Sequence, residues 1–149
     1  MTGASPSRRR PRSTFRHGAI TATGLAALAA LGCGGPFLMF PGGPLAGDVQ
    51  PAAVTDWSFA DDRLVDLEVR PSDPYSVELN YTVKDGKLYV DPAEGRRWLD
   101  YIREDPSVRV RFDGKVYAAR AVLVEDPAEL EGFGDDRFVY RLDGVAASR

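Results

Sequence analysis

Histidine and cysteine each occur once in these 149 residues, as His17 and Cys33, and both precede Asp48, the first acidic residue. Everything from Asp48 onward therefore lacks the two side chains on which most nucleophilic and zinc chemistry depends. A Ser-His-Asp or Cys-His machine, a disulfide framework and a structural zinc site are excluded from that part within one chain. Carboxylates, lysine, arginine, tyrosine and backbone groups remain for chemistry, unless a cofactor brings the reactivity. Charge is missing as well, along one unbroken run from Gly18 to Gly47.

That run follows five arginines, Arg8, Arg9, Arg10, Arg12 and Arg16. Its early part, GAITATGLAALAALGCGGPFLMF, is apolar and close to the roughly 20 residues that cross a bilayer. The arginines lie on its amino side, so the positive-inside rule puts the amino end in the cytoplasm and the rest outside. The sequence thus predicts a basic flank over 1–17 and a single-pass cell-membrane anchor, one hydrophobic helix, over 18–40. Phe37 to Phe40 favour an uncleaved anchor, because they extend the run beyond a usual signal-peptide core. Leu31-Gly32-Cys33 supports a second reading, a lipoprotein anchored at Cys33, although the leucine lies one position too close to the cysteine. Ser7-Arg8-Arg9-Arg10 gives a third, a twin-arginine export signal with Pro11 and Arg12 where hydrophobic residues belong. A fourth is a weakly apolar, Ala- and Gly-rich leader on a misplaced start codon. Pro41-Gly42-Gly43-Pro44 stops any helix and starts a linker over 41–47.

All 22 acids face 14 basic residues from Asp48 onward, a net −8 against −3 for the whole chain. An acidic body argues against nucleic acid, whose phosphates need a basic face. This body, 48–149, reads as one domain of alternating strands. Asp48 to Phe59 is an extended lead-in, with Trp57 a lid on the core or, alternatively, a stacking platform. Val65, Leu67 and Val69 mark one strand; Val77, Leu79, Tyr81 and Val83 mark the next, and Leu88 to Val90 return after Asp85-Gly86. Val108, Val110 and Phe112 alternate, Asp113-Gly114 turns, and Val116 to Val124 follows, with a bend or bulge expected at Ala118 to Ala121. Phe138, Tyr140 and Leu142 close the set. Mainly β with short helices, six or seven strands and two Asp-Gly hairpins point to a small barrel.

Asp91-Pro92-Ala93-Glu94 has the grammar of a helix start: acidic N-cap, proline first, glutamate third. Trp98, Leu99 and Ile102 then form one apolar stripe, and Asp105-Pro106 ends it. The same four letters recur at Asp126-Pro127-Ala128-Glu129. Arg109 and Arg111 read as an exposed sheet face, and Tyr75, Tyr81 and Tyr89 as core or rim aromatics.

The order RPSDPYSVELNYTVKDGKLYVDP, then GRRWLDYIREDPSVRVRFDGKVYAARAVLVED, resembles the split β-barrel of the pyridoxamine-phosphate-oxidase-like, FMN-binding superfamily. It is most similar to a membrane-anchored branch related to deazaflavin-dependent nitroreductases, in which a TDWSF-like segment, here Thr55 to Phe59, follows a hydrophobic amino terminus. The resemblance spans roughly Leu45 to Asp126. It implies a homodimer with FMN or a deazaflavin in a groove between barrels and hydride transfer by that cofactor. It also implies a phosphate met by Arg96 and Arg97, and a ring lined by Ser76, Glu78, Asn80 and Thr82.

Two carboxylates, Asp91 and Glu94, stand where that family commonly has small hydroxyl or amide residues. They would repel a phosphate or occupy the helix amides that bind anions. Arg96 and Arg97 then read equally as a solvated pair bridging to Asp100 and Glu104. Two functions stay open: a membrane-tethered flavin or deazaflavin oxidoreductase acting on a small organic acceptor, and a barrel without cofactor serving as an extracytoplasmic binding or scaffolding module. The outward topology favours the second, since such cofactors are made in the cytoplasm.

Overall fold

A computed structural model describes residues 35–36 and 40–147. The flank 1–17 and, apart from residues 35, 36 and 40, the expected hydrophobic segment 18–40 lie outside the described residues, and Cys33 with them. Among the described residues no helix is long and apolar enough to cross a membrane.

The alternating stretches become strands β1 (Asp48–Val49), β2 (Val65–Val69), β3 (Tyr75–Leu79), β4 (Thr82–Lys84), β5 (Lys87–Val90), β6 (Ser107–Phe112), β7 (Lys115–Leu123) and β8 (Tyr140–Gly144). Two short helices, α1 (Arg97–Glu104) and α2 (Pro127–Leu130), complete the fold. Both Asp-Gly turns put two residues in the left-handed region, with φ of 54° and 73° at Asp85 and Gly86 and 45° and 71° at Asp113 and Gly114. Tight hairpins need that geometry, and Asp and Gly tolerate it.

The alternation from Val77 to Val83 predicts one strand, and the structure breaks it in two. Leu79 ends β3 and Thr82 starts β4, and these lie at opposite ends of the order β3-β2-β6-β7-β8-β5-β4. Only Asn80 and Tyr81 join them. A residue advances the chain by at most about 3.6 Å, so the two terminal strands are held within about 11 Å where they meet. The sheet must curl on itself to satisfy that link, which makes it a half-barrel with a seam between β3 and β4. Period two tells which face a side chain takes, not which neighbour its strand pairs with, so the break was invisible to it.

The inner face carries the core: Val65, Leu67 and Val69 of β2, Leu88 and Val90 of β5, Val108, Val110 and Phe112 of β6, and Ala119 and Ala121 of β7. Leu99 and Ile102 of α1 join the same cluster, as does Trp57, which packs against Phe59, Phe112 and Tyr117 at centroid distances of 5.8 to 6.2 Å. Trp57 is therefore the lid on the core. The expected extended stretch from Asp48 is strand only at β1, which lies parallel to β7. No bulge interrupts β7 against β6: the register runs unbroken from Ser107↔Arg120 to Phe112↔Lys115.

The outer face departs most from expectation. Glu68 lies directly across from Arg109 and Asp66 across from Arg111 on β2 and β6. Their side chains close ion pairs at 2.8 and 2.6 Å. Arg109 and Arg111 are thus not a free solvated row, because residues 42–47 fold back over them. Arg109 donates to the Leu45 carbonyl at 3.2 Å and Arg111 to that of Ala46 at 3.0 Å. The stretch read as a linker is a strap on the sheet.

Candidate functional site

As the end of the sheet path, β3 has one edge without a strand neighbour in it. Gly42 covers that edge at Ser76, exchanging both backbone hydrogen bonds at 2.9 Å. Further along, Glu78 and Asn80 border a groove of about 750 Å³. Asp91, Pro92, Arg96, Arg97, Trp98 and Arg137 also line it, as do Phe40 and Pro41.

The helix beside the groove does not begin where its letters suggested. Arg96, not Asp91, is the N-cap of α1, and no side chain caps it. Ala93 is held extended in a bridge to Arg137, and Gly95 turns through the left-handed region at φ 81°. Helical dihedrals cannot start until both are passed. Glu94 points to the helix body instead, bound by both Arg103 Nη atoms at 3.0 Å. That hydrogen bonding holds its carboxyl below the ordinary glutamate value. At the second copy of the letters Asp126 does cap α2, accepting from the Ala128 amide at 2.9 Å. The difference is the fifth residue, Gly95 in one case and Leu130 in the other. Asp126→Ala is expected to cost about 1 kcal/mol, and Asp91→Ala less than about 0.5 kcal/mol. Urea unfolding of both variants checks this, and a loss of about 1 kcal/mol at Asp91 would contradict the observed helix start.

Arg96 and Arg97 are exposed at the groove, and among the described residues neither closes an ion pair. The expected bridges to Asp100 and Glu104 are not made; Asp100 approaches Arg103 at 3.6 Å. Of the residues implied for a ring and phosphate, Glu78, Asn80, Arg96 and Arg97 meet in this one groove. Ser76 and Thr82 do not line it. Ser76 is buried under the strap, its hydroxyl donating to the Gly43 carbonyl at 2.7 Å, and Thr82 is exposed on β4 opposite Tyr89.

Arg137 is the groove residue that sequence reasoning missed. Its bridge to Ala93 and its bond to the Asp91 carbonyl at 3.3 Å bring it there from the loop before β8. No local spacing announces a contact between positions so far apart in the chain. Tyr75 also lines the groove and stands edge-on to Tyr101 at 5.3 Å, with the Arg70 guanidinium 3.7 Å from the Tyr101 ring centre. Tyr81 and Tyr89 are rim and core: Tyr81 donates to the Asp62 carbonyl at 2.6 Å, and burial first of all raises both hydroxyls above their ordinary value.

A second charged cluster ties α2 to the barrel. Glu129 accepts from Lys87 at 2.7 Å and from Arg141 at 3.0 Å, and Tyr89 reaches it at 3.3 Å. The hydrogen bond from Lys87 is the leading cause that holds the Glu129 carboxyl below its ordinary value. Arg141 also donates to Asp143 at 2.7 and 3.1 Å, so both cations of the cluster are matched to carboxylates and Glu129 docks α2 on the barrel.

No family model matches the chain, and no curated relative does. Among solved structures, a candidate pyridoxamine 5'-phosphate oxidase from Listeria innocua is 15% identical over 56% of this chain and 84% of its own, with a TM-score of 0.46. An FAD-binding protein from Mesorhizobium loti is 18% identical over 58% and 83%, with a TM-score of 0.44. A conserved hypothetical protein from Mycobacterium tuberculosis is 20% identical over 59% and 75%, with a TM-score of 0.46. These are partial likenesses of backbone at low identity, and no residue role is taken from them.

Proposed function

We propose that the groove along β3 binds FMN or a deazaflavin and that the chain is an oxidoreductase acting on a small organic acceptor. One observation carries this reading: the start of α1, which no side chain caps, borders the groove together with Arg96, Arg97 and Arg137. Uncapped amides at a helix start and adjacent guanidinium groups are what a phosphate seeks. Tyr75, Leu79, Pro92 and Trp98 supply apolar wall for a ring, and about 750 Å³ falls in the range of ordinary cofactor clefts. Glu78 and Asp91 oppose an anion there, but three guanidinium groups outnumber them. The residues present therefore fit a ring that carries a phosphate.

When bound, such a cofactor supplies hydride chemistry. Arg96, Arg97 and the first amides of α1 hold the anionic end, and Arg137 adds a third cation from the opposite loop. The Asn80 amide offers a donor and an acceptor on the groove side, and Tyr75 and Trp98 exclude water. In this reading residues 18–40 tether the chain with its amino end in the cytoplasm and the domain outside, or lipid on Cys33 does so. The five arginines ahead of an uncharged run support the tether. A homodimer belongs to the same reading, since Phe40, 72% exposed at the groove, is apolar surface that a second copy would cover.

Glu78 and Asp91 favour a second reading, a barrel without cofactor that serves as a binding or scaffolding module, because both carboxylates weaken the groove for anions. Titrating the full chain in detergent with FMN and with a deazaflavin, followed by visible absorbance, decides between them. Saturating one-to-one uptake is expected of the enzyme; uptake of neither leaves the module.

A further inference from the structure

Among the described residues two polar side chains are fully buried, Glu68 and Ser76. Both spend their hydrogen bonds on the same piece of chain. Glu68 Oε2 accepts from the Leu45 amide at 2.6 Å and from Arg109 at 2.8 Å, while the Ser76 hydroxyl donates to the Gly43 carbonyl at 2.7 Å. Leu45 itself is buried at 5% exposure, and the Gly42 backbone is paired with Ser76 on both sides. A buried carboxylate is costly unless it is paired and hydrogen-bonded. Here its partners are the strap and the arginine that also holds the strap.

We propose that Glu68 and Ser76 are positioning residues of the groove: they latch residues 42–46 onto the outer face of the sheet and so fix Phe40 and Pro41 as a wall of the groove. Phe40 and Pro41 directly precede the latched segment and line the groove, so the strap's freedom is the wall's freedom. Neither Glu68 nor Ser76 lines the groove, so neither touches what binds there. They act through the strap alone. Any effect on the binding of FMN rests on the cofactor reading above; the latch itself does not.

Amide hydrogen exchange on the full chain, comparing wild type with Glu68→Gln/Ser76→Ala, tests the latch without ligand. Gln keeps an acceptor for the Leu45 amide but removes the charge that Arg109 pairs with. Exchange at Gly42 and Leu45, whose amides donate to Ser76 and Glu68, is expected to accelerate more than tenfold while Val108 and Val110 keep their rates. Ser76→Thr, which retains the hydroxyl, is expected to behave as wild type. Unchanged exchange at Gly42 and Leu45, or equal acceleration at every amide, would overturn the proposal, the latter because it marks a merely structural role. In the same variants the Kd for FMN is expected to rise about tenfold, and a released strap with unchanged FMN affinity would also overturn it. If the wild-type chain takes no FMN, the cofactor reading fails on its own and the exchange pattern at Gly42 and Leu45 decides the latch.

Discussion

Replacing Arg109 by alanine is expected to lower the unfolding free energy by about 3 kcal/mol, the low end of the cost of breaking a buried pair. Glu68 is the reason. Its side chain is 1% exposed against 29% for Arg109, so truncating the arginine leaves a carboxylate that water cannot reach. Oε1 of Glu68 already lacks a partner among the described residues, so once the guanidinium is lost only the Leu45 amide still donates to this carboxylate. Arg111→Ala is expected to cost less, because Asp66 is 16% exposed and regains some solvent. The double variant Glu68→Gln/Arg109→Met is expected to recover most of the loss. It removes both charges, keeps an acceptor for the Leu45 amide and fills the arginine's stem with an apolar chain. Chemical unfolding of the three variants measures this, and an Arg109→Ala loss below about 1 kcal/mol would place the pair among exposed bridges of small worth.

That ion pair also shows where sequence reading stopped. Alternation put Asp66 and Glu68 on the face opposite the core, and the structure puts them there. Alternation also sent Arg109 and Arg111 to solvent, because a face that is polar by pattern is normally wet. The strap of residues 42–47 covers it, and nothing in Pro-Gly-Gly-Pro distinguishes a strap from a linker. The Asp-Gly turns were legible because positive φ at two positions admits few residue types. The seam at Asn80 and Tyr81 was not, because it depends on which strands pair at long range. At the groove, Glu78, Asn80, Arg96 and Arg97 share one lining, whereas Ser76 lies under the strap and Arg137 arrives from a loop that no local pattern marks. The two copies of Asp-Pro-Ala-Glu make the same point locally. One caps a helix and one does not, because Gly95 and the bridge from Ala93 to Arg137 override the capping letters.

Reversing charge at the uncapped helix start is expected to have the largest effect on binding. Arg97→Glu is expected to weaken FMN by about 100-fold or more, since a hydrogen bond to a charged group contributes roughly 1.5–3 kcal/mol and a carboxylate there adds repulsion. Arg137→Ala, which removes a cation without adding an anion, is expected to weaken FMN by about tenfold. The other two charges in the groove give the opposite sign. Glu78→Gln and Asp91→Asn each remove an anion, so each is expected to tighten FMN, and more at low salt than at high salt because exposed charges are screened. Riboflavin separates the phosphate from the ring: it shares the ring and lacks the anion. Its affinity is expected to be nearly the same for wild type and Arg97→Glu, whereas FMN affinity is not. If both ligands weaken together, Arg97 supports the groove's shape and the phosphate lies elsewhere. If Glu78→Gln and Asp91→Asn leave FMN unchanged at every salt concentration, the groove along β3 is not where the anion sits. All three signs observed together would locate the charge, because only a phosphate placed among Arg96, Arg97 and Arg137 is weakened by losing a cation, tightened by losing an anion and indifferent in its riboflavin counterpart.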